Sequence, residues 1–176
     1  MKLSDIPQLS RAHYHITVTL QEVEHVLGRW GDEGKRTCPL ILNPEFQRGH
    51  VWTAQQQIDF CEFLIRGGES GRDIIFNCKG WQHNFEGPLY LVDGLQRLTA
   101  VRAMMRGEVP VFGRSFLEYE DNDVIARRTD LVFRVGKLNT YAEVLKWYLE
   151  MNTGGTPHAQ SEIDRVRVLW EKEMKK

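Results

Sequence analysis

From Tyr14 to Val18 apolar and polar positions alternate, with Tyr14, Ile16 and Val18 on one side and His15 and Thr17 on the other, which predicts a short strand. Thr19 and Glu22 then stand at capping-box spacing in front of Val23, Val26, Leu27 and Trp30, which predicts a helix. Gly31 to Lys35 reads as a polar turn, and Pro39 to Trp52 as an irregular, extended segment. A second capping box, Thr53 with Gln56, opens a helix whose apolar stripe is Ile58, Cys61, Leu64 and Ile65. Its wet face is Gln55, Asp59, Glu62 and Arg66, and Gly67-Gly68 ends it. Asp73 to Cys78 and Leu89 to Val92 are β-rich runs that predict a hairpin across the polar loop 79–88. A tight turn at Asp93-Gly94 leads into a helix marked by Leu98, Val101 and Met105, which stops at Gly107. Val109 to Phe112, Ser115 to Tyr119 and Leu131 to Val135 read as further short strands. Thr140 and Glu143 form a third capping box before Tyr141, Leu145 and Tyr148. The last helix is expected to begin at Thr156-Pro157 and to bury Ala159, Ile163, Val166 and Trp170. Strands and helices are mixed without strict alternation, so the fold class is α+β. No linker interrupts the pattern, which predicts one domain over 1–176 with 140–176 as a helical extension.

Composition narrows the class of protein. Five Trp and eight Phe among 176 residues bury enough apolar area to offset ordering entropy, which excludes a disordered chain. No run approaches the roughly 18 apolar residues of a membrane span, and the N-terminus has no secretory pattern, so a cytoplasmic protein without a membrane partner is expected. Cys38, Cys61 and Cys78 are odd in number and widely spaced, which supports neither a disulfide framework nor a paired-cysteine zinc site. They read as reduced, mostly buried thiols. A formal net charge of −1 removes the bulk basic field of a dedicated duplex-DNA binder and leaves only a local patch open.

Three segments could carry chemistry. In Leu91-Val92-Asp93-Gly94-Leu95-Gln96-Arg97-Leu98-Thr99 a strand feeds directly into a helix, so the first helical amides lack intrahelical acceptors and, with the helix dipole, suit a phosphate. Gly94 would let the backbone approach an anion, Arg97 would add a guanidinium fork, Gln96 could orient a water, and Asp93 could bind Mg²⁺ or accept a proton. The alternative is structural: Asp93 as a helix cap, Gly94 as a turn residue, Arg97 as a solvated first-turn side chain. The second segment, Asn43-Pro44-Glu45-Phe46-Gln47-Arg48, presents Gln47 and Arg48 side by side with Phe46 and Trp52 as anchors; packing alone would also explain it. The third, Asn152-Thr153-Gly154-Gly155-Thr156-Pro157, is either a helix–helix connection or a second anion nest.

Taken in order, these three segments resemble the N-terminal domain of GmrSD-type restriction endonucleases, from about Ile41 to about Val168. The resemblance implies a ParB/sulfiredoxin-like fold, a mixed sheet of short strands with surrounding helices that presents a signature turn to nucleotide phosphates. That family carries Asp-Gly-Gln-Gln-Arg, associated with binding and hydrolysis of a nucleoside triphosphate. The resemblance implies Asp93, Gln96 and Arg97 as the catalytic set, with Asp93 also the Mg²⁺ ligand. It implies Gln47, Arg48, Gly94, Thr99, Asn152 and Thr153 as nucleotide-binding residues.

Two departures qualify the implied activity. Leu95 replaces the first Gln of the motif, which leaves hydrolysis weakened or lost. The family's nuclease half has no counterpart here, and the six His residues (13, 15, 25, 50, 83 and 158) form no His-Asn-His-like cluster, so DNA cleavage by the chain alone is not expected. The expectation is an NTP- and Mg²⁺-binding domain, leaning to a weak NTPase, in DNA restriction or anti-restriction. The rivals are a non-catalytic module that binds DNA or a restriction-system protein, and an ATP-dependent phosphotransferase of the same fold.

Overall fold

The computed structural model describes residues 6, 9–31, 39–49, 51–83, 85, 87–153 and 160–175. In chain order the elements are β1 (Tyr14–Thr19), α1 (Val23–Gly31), β2 (Leu40–Ile41), α2 (Ala54–Ile65), β3 (Asp73–Cys78) and β4 (Leu89–Asp93). There follow α3 (Leu95–Met105), α4 (Asn122–Arg128), β5 (Asp130–Gly136), α5 (Tyr141–Thr153) and α6 (Gln160–Glu173). The class is α+β: among the described residues a five-stranded mixed sheet, ordered β1-β5-β3-β4-β2, carries helices on both faces. β3 runs antiparallel to β4 and parallel to β5, β1 is antiparallel to β5, and β2 is parallel to β4.

Strand alternation divides the core in two. Ile74, Phe76 and Cys78 of β3 and Leu89 and Leu91 of β4 face α1–α4, where Leu27, Trp30, Leu64, Leu98, Val101 and Met104 complete one cluster. Val92 faces the other side with Val144, Leu145, Trp147 and Tyr148 of α5, Val166 of α6, and the fully buried Phe46. α5 and α6 therefore pack onto the sheet and build its second core. Asn77, buried on this second side, is satisfied by the backbone of Leu138: its Nδ2 donates to the Leu138 carbonyl (3.2 Å) and its Oδ1 accepts from the Leu138 amide (2.8 Å).

Several local expectations hold for the reason given. The Thr53–Gln56 capping box is formed in both directions, and so is that of Thr140 with Glu143, whose carboxylate is held below its usual range chiefly by the Thr140 amide. α2 ends in a Schellman motif, Gly68 N–H to the Phe63 carbonyl and Gly67 N–H to Leu64, both 2.9 Å. Cys61 and Cys78 are buried thiols outside any disulfide, and burial pushes the Cys61 thiol up to about 12.

Others are corrected. Thr19 makes no side-chain cap; Leu20 is drawn into the core and its amide bonds the Thr129 carbonyl at 2.9 Å, so Leu20–Glu22 tightens into a 3₁₀ turn before α1. Residues 109–112 and 115–119 are not strands. Val111 and Arg114 pair only with each other and Phe116–Glu118 is a 3₁₀ turn, because Val109, Val111 and Phe116 are apolar anchors of a loop. α4 was not expected; it buries only Ala126 and leaves no stripe to read. The extended segment after Pro39 includes the two-residue strand β2. The turn at 32–35, Cys38, and the start of the last helix with Thr156, Pro157 and Ala159 lie outside the described residues.

Candidate functional site

The junction between β4 and α3 is shaped by a bulge. Phe76 pairs with Leu91 but Ile75 pairs with Asp93, so Val92 is an extra residue on β4. Cross-strand partners share a face, hence the bulge turns Asp93 to the side of Ile75, toward the second core, where strict alternation would have turned it away. Gly94 follows in the left-handed region, φ +99°, and a Cβ there would lie 2.7 Å from Ile74 Cδ1 and 3.3 Å from the Asp73 carbonyl oxygen. Only glycine fits this corner. The N-cap is thus Gly94 and not Asp93, and Leu95 starts α3.

The extended loop lies directly against this junction. β2 pairs with β4 only as far as Tyr90; beyond it Gln47 takes over the open edge, its Nε2 donating to the carbonyls of Val92 (2.8 Å) and Leu91 (3.3 Å). Gln96 fixes the next part of the loop. Its Oε1 accepts from the amides of Val51 (2.8 Å) and Trp52 (3.1 Å), and its Nε2 donates to the Gly49 carbonyl (2.6 Å). From α6, Arg165 donates to the carbonyls of Glu45 (2.6 Å), Phe46 (3.1 Å) and Gln47 (3.2 Å), and Arg48 pairs with Glu162 at 3.3 Å. Beneath the loop the Tyr148 phenol is raised by burial, with Glu162 and Asp93 adding to the shift and Arg48 and Arg165 opposing it.

A cleft of about 60 Å³ remains, lined by Gln47, Arg48, Asp93, Gly94, Leu95 and Gln96. Residues about 45 positions apart in sequence therefore share one wall. Arg97 does not line it: its guanidinium pairs with Asp93 Oδ2 at 2.5 Å, and its stem passes over Gly71, Cδ lying 3.6 Å from where a Cβ would stand. Thr99 is half-buried one turn further along α3. The Asn152 side chain donates back to the Tyr148 carbonyl at 2.7 Å, inside α5. Thr153 closes α5, and Gly154 to Pro157 lie outside the described residues, as do His50 and His158.

Arg165 and Glu162 were not singled out in the sequence. The signal was there in weak form, since both are charged positions flanking Ile163 and Val166 on α6, whose buried stripe faces the loop. Among the described residues no group of three or more His, Cys, Asp and Glu side chains is placed to hold a metal ion, and no helix is long and apolar enough to cross a membrane. No protein-family model matches the chain, and no curated protein or solved structure matches it.

Proposed function

We propose that the chain is a ParB/sulfiredoxin-like domain of the GmrSD N-terminal type that binds the phosphates of a nucleoside triphosphate with Mg²⁺, in a restriction or anti-restriction setting. The observation that carries this reading is the cleft that joins Gln47 and Arg48 to the first turn of α3 beside Asp93 and Gly94. A helix N-terminus supplies amide donors and a positive dipole end, and Arg48 supplies a cation. At about 60 Å³ the cleft has room for roughly two water-sized volumes, which suits one phosphoryl group with the nucleoside lying outside. Mg²⁺ that arrives with a triphosphate needs as few as one protein carboxylate. Asp93 fits that need, because its described hydrogen bond uses Oδ2 and leaves Oδ1 for a metal.

The second reading, a binding module without hydrolysis, is favoured by the state of Gln96. Both ends of its amide are engaged by loop backbone, so ordering an attacking water would require releasing Gly49, Val51 or Trp52. Leu95 offers no polar group in its place. The restriction setting, and the DNA or protein partners it would bring, rest on the motif order in the sequence.

A thermal-shift panel of the four common NTPs with and without Mg²⁺ tests the proposal. Occupancy at a hundredfold excess over Kd stabilises by about 2.7 kcal/mol, a rise of roughly 5–11 °C for a domain of this size. The rise should need Mg²⁺ and vanish in Arg48→Ala. An unchanged melting temperature across the panel would remove the nucleotide from the reading.

A further inference from the structure

On the α2 and α4 side of the molecule, away from the cleft, the chain makes a tight two-residue turn. The Val111 amide donates to the Arg114 carbonyl (2.8 Å) and the Arg114 amide to the Val111 carbonyl (3.2 Å). The central residues have φ +49° at Phe112 and +78° at Gly113, the signs of a type I′ turn. That conformation asks for Asn, Asp or Gly at its first central position, and a bulky aromatic there is strained. The strain is maintained by specific bonds: Glu62 Oε1 accepts from the Phe112 amide at 2.7 Å, and the Tyr119 hydroxyl donates to the Val111 carbonyl at 2.8 Å. Yet Phe112 stays about half exposed, at 49%. A strained aromatic residue fixed in place with half its surface open to solvent calls for a reason outside the fold.

Beside it runs a mostly apolar groove of about 170 Å³, walled by Ile65, Val111, Phe112, Phe116, Tyr119 and Ile125, with Asp121 and Asn122 completing the wall. It has room for one large side chain. Leu117 (57% exposed) and Val124 (44%) are exposed apolar residues next in sequence to its wall residues Phe116 and Ile125. Single exposed apolar residues need no explanation, but an exposed aromatic ring that walls an apolar groove marks an interaction surface.

Charge decides what would fit. Glu118, Glu120, Asp121 and Asp123 are all exposed along the same stretch, against one cation, Arg114, between residues 111 and 125. Arg127 and Arg128 stand at the far end of α4. A second copy of this chain docking by two-fold symmetry would set these carboxylates against their equivalents, which like-charge repulsion opposes. We infer that the Phe112 turn and its groove dock a peptide segment of another protein, in which one bulky apolar side chain is flanked by lysines or arginines. The apolar side chain would fill the groove against the Phe112 ring, and the basic flanks would lie along the 118–123 carboxylates.

The test selects random displayed peptides on the immobilised full chain, then measures the selected peptides by fluorescence anisotropy. The expected consensus is one Leu, Phe or Trp between basic residues, with affinity falling at least about tenfold as salt rises from 0.05 to 0.3 M. Phe112→Gly keeps the chain folded, because glycine relieves the positive φ. It should leave the melting temperature within about 4 °C of the parent while weakening the peptide at least about tenfold. Enrichment of acidic or purely apolar peptides, no enrichment at all, or equal binding by Phe112→Gly would overturn the assignment. A dimer in sedimentation that Phe112→Gly dissolves would overturn it too, in favour of self-association.

Discussion

Removing the Gln96 side chain separates its role in holding the loop from any role in chemistry. Gln96→Ala deletes three hydrogen bonds, to Gly49, Val51 and Trp52, each worth about 0.5–1.5 kcal/mol net in a folded protein. Val51 is exposed, so its amide finds water and the loss falls below the simple sum. The expected cost is about 1–2 kcal/mol, or a melting temperature about 2–8 °C lower for a domain of this size. Amide hydrogen exchange should localise it: Val51 and Trp52 lose protection while β3 and β4 keep theirs. Gln96→Glu refines the comparison, since it retains the acceptor for the two amides and loses the donor to Gly49. It should keep the protection at 51 and 52 with an intermediate melting temperature. A Gln96→Ala protein with unchanged melting and unchanged exchange would refute the clamp, and would return Gln96 to the role of ordering a water.

Gly94→Ala should destabilise by about 2–5 kcal/mol in urea denaturation, combining a left-handed backbone with a Cβ 2.7 Å from Ile74 Cδ1; a loss under about 1 kcal/mol would mean that the corner relaxes freely. Leu95→Gln should lower stability by about 1–2 kcal/mol, because Leu95 is half-buried against the core below α3, and should raise phosphate release from NTP and Mg²⁺. Measurable nucleotide binding with no release from either protein would assign the cleft to binding alone. Alkali should unfold the protein early: burial raises Cys61 to about 12 and raises Tyr90, Tyr141 and Tyr148, so the folded state opposes ionisation. Stability is then full below about pH 9 and is lost as pH climbs toward 12, which urea midpoints and tyrosinate absorbance would follow; a flat midpoint from pH 8 to 11 contradicts the burial.

Elements with a buried stripe or a reciprocal cap were legible in the sequence. The Thr53–Gln56 and Thr140–Glu143 boxes and the Gly67 and Gly107 stops each depend on residues a few positions apart, and the β3–β4 hairpin on two neighbouring runs. What failed depends on distant partners. Thr19 offers the same box spacing as Thr53, but the Thr129 carbonyl takes the Leu20 amide and tightens the turn. Val109 and Val111 alternate like strand residues, yet among the described residues no strand pairs with them. At the site, the family resemblance joined Gln47 and Arg48 to the Asp93 turn, and these residues line one cleft. It could not show the bulge at Val92, which aims Asp93, nor Arg165 and Glu162, which reach the loop from more than a hundred residues away. Nor did it show that Gly94, Gln96 and Arg97 already have partners inside the fold.

Those internal partners change how the cleft would be occupied. Gln47 and Gln96 hold backbone groups that would be stranded if they moved, whereas Arg48, among the described residues, pairs with a partly exposed carboxylate, Glu162, at 3.3 Å with side-chain exposures of 30% and 24%. A partly exposed ion pair of that kind contributes about 0–1 kcal/mol, while a charge-assisted hydrogen bond to a phosphate contributes about 1.5–3 kcal/mol. If the cleft takes a phosphate as proposed, exchange of Glu162 for it on Arg48 would be favoured, and Arg48 would be the side chain of the cleft that turns to the ligand without undoing the loop. Glu162 would then act as a resident competitor. Glu162→Gln should leave the loop tethered through Arg165 and should tighten phosphate or NTP binding by about three- to tenfold, as read by titration calorimetry. Unchanged or weaker binding in Glu162→Gln would show that Arg48 does not leave its partner, and that any anion at the start of α3 is held by the helix amides alone.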